Sequence, residues 1–320
     1  GKSDRIGAFV DAASKLALSQ DPVLKASDLR LIGNPAVRRT DTSAKINGSA
    51  KFGMDVQLPR QIVAVMIRPP QQGAVLTDFD AAPAAEVRGF LEAKPRPDAQ
   101  GVIVYAEDTW AAFKAREAIT ADWDLGAAET RSQQDLRTEM TSKVAGTPEF
   151  EARADRPRQE IAQRIDGAAK IVEGEYLFPN LAHAPMEPIN CTIAPDGKGG
   201  VVLHDGCQFP TMAQALVAAE LGLDPSKVAI KTYYAGGSFG RRANTDADYQ
   251  VEAAEAFGLT DRTRPVKLVW SREDDIRGGY YRPAFSHKVR IGLDADGTIL
   301  GWDHQLAGQS IIKGTPFEAA

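Results

Sequence analysis

"YYAGGSFGRR", residues 233–242, sets glycines and a phenylalanine between the apolar run "KVAIKTYYA" and the helical pattern of "DADYQVEAAEAFG". A glycine-rich turn between a strand and a helix is the layout of phosphate-cradling loops, and equally of plain turns. The dinucleotide fingerprint requires G-x-G-x-x-G at the mouth of a helix, with an acidic residue about twenty positions on. Here Gly236-Gly237-Ser238-Phe239-Gly240 runs straight into Arg241-Arg242. The spacing fails, and a bulky ring stands where backbone would have to approach a pyrophosphate. No G-K-S/T closes a P-loop. The stretch is a turn or the wall of another cofactor, and its surroundings have to choose.

Downstream of residue 168 strands dominate: "AKIVEGEYLF", "CTIAP", "GVVLHDG", "KVAIKTYYA", "PVKLVW", "KVRIGLD" and "TILGWDHQLAG". Two helices interrupt them, "TMAQALVAAELG" and "DADYQVEAAEAFG", each closing on glycine as helix ends often do. "LDADGTIL" signals a hairpin, with Asp296-Gly297 suited to its turn. Upstream, "QIVAVMIR" reads as a strand bounded by Pro59 and Pro69-Pro70. "GVIVYA" is a second strand, followed by a helix over Asp108–Thr120. Asp108 or Thr109 caps that helix, and Trp110, Phe113 and Ala118 form its expected buried stripe. Residues 1–20 read as a short helix on Ile6, Phe9, Val10 and Ala13. The polar stretch 127–168 is a linker or a set of surface helices. The fold class is α+β: a helix and connector over 1–39, a compact domain over 40–126, the linker, and a second domain over 169–320.

The chain has 320 residues and a formal net charge of −5, which disfavours nucleic acid or an anionic membrane as partner. Its longest purely apolar run, Ile62–Ile67, is far below the ~20 residues of a membrane helix. Cys191 and Cys207 are too few for a disulfide framework or a cysteine-ligated zinc, and read as buried free thiols. His183 and Glu187 in "PNLAHAPMEPINC" have a metal-ligand spacing, but Pro185 and Pro188 forbid the helix it needs. A rigid loop using both side chains for hydrogen bonds is the plainer reading. No serine stands in a G-x-S-x-G elbow. "SREDDIRGGYYRP" reads either as a charged turn or as a segment that aims Arg282 into a cavity to orient an anionic or carbonyl substrate.

The order of these segments is more specific than any one of them. "GNPAVRRTDTSAKINGSAKFGMDVQLP", "DTWAAFKAREAITADWD", "LAHAPMEP", "CQFPTMAQALVAAELGL", "GGSFGRR" and "WSREDDIRGGYYRP" succeed one another across nearly the whole chain. This succession resembles the molybdopterin-binding large subunit of the xanthine dehydrogenase/aldehyde oxidase family, in its isoquinoline 1-oxidoreductase β-subunit-like, aldehyde dehydrogenase-type branch. The resemblance implies an α/β hammerhead domain at 40–126 and the first part of a molybdopterin-binding domain at 169–320. It implies that Gln208 hydrogen-bonds a ligand of molybdenum and that Gly236, Gly237, Phe239 and Gly240 lay backbone against the cofactor. Ser238 departs from the family's usual third glycine. Arg282 matches a substrate-orienting arginine, and Arg241 and Arg242 either meet a cofactor phosphate or face water.

The implied activity is water-dependent oxidation of an aldehyde, or hydroxylation of an N-heteroaromatic ring. The electrons go to a small 2Fe-2S partner subunit, with a cytochrome as a further partner, and the setting is periplasmic, with the cytoplasm as the alternative. The family's glutamate base in a glycine-rich "GxGE" stretch and its iron–sulfur cysteines have no counterpart here. The chain is therefore expected to be an internal piece of a longer polypeptide, inactive alone and not retaining cofactor alone. A catalytically silent scaffold serving subunit contacts is the alternative. A flavin or nicotinamide enzyme would need the nucleotide loop that the glycine spacing lacks.

Overall fold

The computed structural model describes residues 5–25, 27, 29–278, 280–315 and 317–318. The chain divides after Ala50 into two compact units. In the first, the helix expected over residues 1–20 shrinks to a 3-10 turn, Ile6–Phe9, and one α turn, α1 (Val10–Ala13). None of their residues is buried, so no packing offsets the cost of nucleating so short a helix. α2 (Thr42–Ile46) completes this unit.

The second unit, Lys51–Ala320, is mixed α+β. It opens with β1 (Ile62–Ile67), β2 (Val75–Asp80), β3 (Phe90–Pro95), β4 (Val102–Ala106), α3 (Thr109–Ala118) and β5 (Thr120–Asp124). α4 (Gln133–Ala145), α5 (Arg158–Asp166), β6 (Lys170–Phe178), β7 (Leu181–Ala182), β8 (Asn190–Pro195) and β9 (Val201–Asp205) follow. Then come α6 (Pro210–Leu221), β10 (Val228–Thr232), α7 (Asp248–Gly258), β11 (Val266–Val269), α8 (Arg272–Arg277), β12 (Tyr281–Arg282), β13 (Phe285–Leu293) and β14 (Ile299–Gly308).

A seven-stranded sheet runs β10-β9-β8-β11-β1-β4-β3 and draws strands from both sides of the 127–168 segment. Its central strands are apolar without alternation because both faces are covered. On one face Ala64, Met66, Ile103, Ile193, Leu203 and Leu268 meet Val217 and Leu221 of α6 and Ala253 and Phe257 of α7. On the other, Val63, Val65 and Val104 meet Ala111, Ala112 and Ala115 of α3. Each large side chain buried there contributes about 1.5–3 kcal/mol.

The expected stripe on α3 is corrected at Trp110, while Phe113 and Ala118 pack, partly buried, against the same cluster. Trp110 is 64% exposed, and the fully buried face is alanine, because the helix sits close on β1 and β4. Asp108 caps α3 as expected, accepting from the Ala111 amide at 2.8 Å.

A three-stranded sheet, β14-β13-β6, carries α4 and α5 on one side through Met140, Val144 and Ile165. The hairpin β13–β14 turns at Asp296-Gly297, with Asp294 N donating to Thr298 O at 3.0 Å.

Buried ion pairs fasten β1 and the β3–β4 turn to α7. Arg68 makes a two-pronged pair with Glu252 at 2.7 and 2.8 Å, and Trp270 Nε1 donates to the same carboxylate at 2.6 Å. Arg96 reaches Glu255 at 3.0 Å. Removing one partner of such a pair costs about 3–5 kcal/mol, since the other charge stays buried.

Candidate functional site

β9 and β10 are parallel neighbours, with Asp205 opposite Thr232. The turn after β9 and the loop after β10 therefore leave the sheet at the same end, outside the carboxyl ends of parallel strands, where open α/β sheets bind ligands. This brings Gln208 to the glycine loop across 30 residues of sequence. Gln208 N donates to Arg242 O at 3.1 Å, and the Ser238 hydroxyl donates to Gln208 Oε1. Ser238 is buried and its Oγ also accepts the Arg242 amide at 3.0 Å. Its side chain points into the protein toward Gln208, so the departure from glycine brings no protruding group onto the loop's outer surface.

The glycines serve two different needs. Gly237 and Gly240 sit at φ +104° and +98°, a region glycine enters without strain. Gly236 serves close approach: a Cβ there would lie 2.5 Å from Glu187 Cβ. Phe239, between them, is itself held at φ +57° and is 79% exposed. A large aromatic in that conformation on open surface is costly.

Glu187 binds the loop from below. Its Oε2 accepts from Gly236 N at 2.6 Å, and its own N donates to Gly236 O at 3.0 Å. Its Oε1 accepts from Met54 N at 2.7 Å and from Asn190 Nδ2 at 3.1 Å. The reading of Glu187 as a hydrogen-bonding residue holds, while His183 Nδ1 has no partner among the described residues.

Both arginines turn inward. Arg241, 1% exposed, makes a two-pronged pair with Asp248 at 2.8 and 2.6 Å and lies 5.2 Å from the Trp270 ring centroid. Arg242, equally buried, reaches Glu187 Oε2 at 3.2 Å and Gly237 O at 3.2 Å. They brace the loop from within.

Behind the Gln208 turn lies a buried polar cluster that no sequence pattern marked. Tyr249 Oη donates to Asp205 at 2.9 Å, and Gln250 Nε2 donates to it at 2.8 Å. Burial pushes the Asp205 carboxyl up to about 6, against the Gln250 and Tyr249 hydrogen bonds and the Arg242 charge. Cys191 and Cys207 are both free and buried, and burial pushes Cys207 up to about 11. Neither is poised as a thiolate nucleophile.

Arg282 stands apart from this constellation. It is exposed on β12, which among the described residues pairs with β7 alone, and its Nη2 donates to Pro179 O at 2.6 Å. "SREDDIR" corrects the charged-turn reading: it is helix α8, opened by a capping box. Ser271 Oγ accepts from Asp274 N at 3.1 Å, and Asp274 accepts from Ser271 N at 2.8 Å. Arg272 on α8 then grips the loop before Glu187, donating to Pro185 O at 2.5 Å and Met186 O at 3.1 Å.

The site thus offers backbone on a glycine loop, an exposed phenylalanine ring, and the Gln208 amide. Gln208 is exposed, and its Nε2 makes no hydrogen bond among the described residues. No group of three or more His, Cys, Asp or Glu side chains placed to hold a metal occurs among them. Such a surface suits a cofactor that brings its own reactive centre. Residues 137–310 match the profile of the molybdopterin cofactor-binding domain.

The chain belongs to that family.

The match takes in Gln208, the glycine loop and Arg282 together. Among curated proteins, the membrane-bound aldehyde dehydrogenase [pyrroloquinoline-quinone] of Gluconacetobacter polyoxogenes is 30% identical over 296 residues, 89% of this chain and 37% of its own length. Isoquinoline 1-oxidoreductase subunit beta of Brevundimonas diminuta is 29% identical over 297 residues, 89% of this chain and 36% of its own. The chain therefore spans little more than a third of these relatives. The crystal structure of quinoline 2-oxidoreductase from Pseudomonas putida 86 shares the fold, with TM-score 0.65 over 84% of this chain and 38% of that one, at 18% identity.

Proposed function

We propose that this chain forms one wall of the cofactor site of a molybdopterin-dependent oxidoreductase. The enzyme oxidises an aldehyde, or hydroxylates an N-heteroaromatic ring with oxygen from water. The observation that carries the reading is the juxtaposition of exposed Gln208, whose Nε2 makes no hydrogen bond among the described residues, with a glycine loop that is open at Gly240. The names of the two curated relatives support the substrate classes.

The residues present fit such a cofactor. At Gly240 an added Cβ would meet nothing within 4 Å, so the loop is open to a ligand at that point. Gln208 Nε2 supplies a hydrogen-bond donor beside it, and Phe239 supplies an apolar wall. Bound there, the cofactor supplies two-electron oxidation of a carbon centre, which no side chain of this site can perform alone. The protein's share is placement: Glu187, Arg241 and Arg242 fix the loop, and the loop fixes the surface. Arg282 keeps its proposed role toward an anionic or carbonyl group of substrate, steadied by its bond to Pro179 O.

The electrons pass to a small 2Fe-2S subunit, with a cytochrome as a further acceptor, in a periplasmic setting. Among the described residues no helix is long and apolar enough to cross a membrane. The chain alone is expected to be inactive and free of cofactor. The test is substrate-dependent reduction of a dye by the native protein. Reduction with an aldehyde or an N-heterocycle, lost in Gln208→Ala at unchanged molybdenum content, supports the proposal; a Gln208→Ala protein of full activity contradicts it.

A further inference from the structure

We propose that Ser238 is a positioning residue that turns the Gln208 amide, so that the site receives a hydrogen-bond acceptor and rejects a donor. The inference rests on which partner each atom of the Ser238 hydroxyl can have. Ser238 Oγ accepts the Arg242 backbone N–H at 3.0 Å, a donor that cannot reverse its role. Ser238 is 7% exposed, so its own hydrogen has to find a protein acceptor. The atom that faces it is Gln208 Oε1.

Were the amide turned the other way, Ser238 Oγ would face two N–H donors, and its hydrogen would be left buried without a partner. The present orientation satisfies the Arg242 backbone N–H, the Ser238 hydroxyl and Gln208 Oε1 together. It leaves Gln208 Nε2, with both its hydrogens, on the exposed side.

The backbone makes the device rigid. Gln208 N donates to Arg242 O at 3.1 Å, so Arg242 holds Gln208 by main chain and orients Ser238 by its own amide. Arg242 is itself held by Glu187 and by Gly237 O. A glycine at 238 would leave the loop's path open but remove the only hydrogen bond made to the Gln208 amide oxygen among the described residues. Gln208 would then present either end. The hydroxyl thus converts a two-faced amide into a fixed donor, which discriminates an oxygen acceptor from an N–H or O–H group at that point. That the acceptor belongs to a molybdopterin cofactor rests on the function proposed above; the turning of the amide does not.

The experiment uses this chain, labelled with 15N-glutamine, with the Gln208 side-chain amide assigned by its loss in Gln208→Met. The expected wild-type result is an ordered amide. In Ser238→Ala its order parameter falls below ~0.6, the flexible range, while the backbone amides of residues 206–209 keep theirs. Ser238→Thr, which keeps the hydroxyl, restores it. A mobile Gln208 amide in the wild-type chain, or one unchanged in Ser238→Ala, overturns the proposal. Should Ser238→Ala fail to fold, Ser238→Gly, which leaves the loop's path open and also lacks the hydroxyl, decides it by the same criterion. No cofactor is present in any arm, so failure here leaves the functional reading standing, and failure of that reading leaves this result unchanged.

Discussion

Glu187 and Gly236 hold each other at both ends: the glutamate's Oε2 accepts the glycine's N–H at 2.6 Å, and its own N–H donates to the glycine's carbonyl at 3.0 Å. The same carboxylate faces the fully buried Arg242 guanidinium at 3.2 Å. Glu187→Ala leaves the Gly236 and Met54 backbone N–H groups without their carboxylate acceptor and strands that charge. The expected loss of stability is about 3–5 kcal/mol, read as a lower urea midpoint at unchanged m. Glu187→Gln, which keeps an acceptor but not the charge, loses less.

The two kinds of glycine separate in a paired measurement. Gly236→Ala forces a Cβ to 2.5 Å from Glu187 Cβ and is expected to cost about 1–3 kcal/mol as the loop is pushed off its anchor. Gly240→Ala meets nothing within 4 Å and suffers only from its φ of +98°, so about 1 kcal/mol is expected. Equal urea midpoints for the two variants would contradict this division.

Asp205 gives stability a dependence on pH whose direction follows from its burial. Its carboxyl stands at about 6 in the folded chain against an ordinary 3.8, so between these values the folded state holds more protons than the unfolded one. Stability from this group is therefore complete below about pH 4 and falls as pH rises through about 6. The total is about 3 kcal/mol. Denaturant unfolding at pH 4 and pH 7 tests it: the stability of wild type relative to Asp205→Asn is greater at pH 4 by about that amount. The difference between the two proteins isolates this carboxyl from others that titrate in the same range.

Arg241 is expected to act as a structural arginine. Arg241→Lys keeps the charge but cannot form the two-pronged bond to Asp248 or cover Trp270 in the same way, and should cost about 1–3 kcal/mol in urea unfolding. A fully stable Arg241→Lys variant would show the pair to be dispensable.

Much of this was legible in the residues because it depended on local pattern. Asp108 announced the α3 cap, and glycines announced the ends of α6 and α7. Asp296-Gly297 announced the hairpin. Ser271 and Asp274 carried an equally local capping signal, masked by the density of charge in "SREDDIR". What could not be read was what distant segments do to one another. Trp110 follows the helical period but is exposed, while the fully buried face of α3 is made of Ala111, Ala112 and Ala115. Glu187 meets Gly236, and Asp205 meets Tyr249, through the parallel pairing of β9 with β10 and the packing of α7, which no spacing encodes. The inward turn of Arg241 likewise depends on Asp248 and Trp270 being in place together.

The central claim is that the Gln208 turn and the glycine loop are a molybdopterin wall, and cofactor content tests it most directly. In the native, assembled protein purified from the cells that make it, rather than in this chain alone, metal analysis and pterin fluorescence should find molybdenum and pterin in equal amounts. Gly236→Val, which drives side-chain atoms into Glu187 and displaces the loop, should lose both together while remaining folded. Native protein that is folded and carries pyrroloquinoline quinone, or no cofactor, in place of molybdenum and pterin would contradict the account.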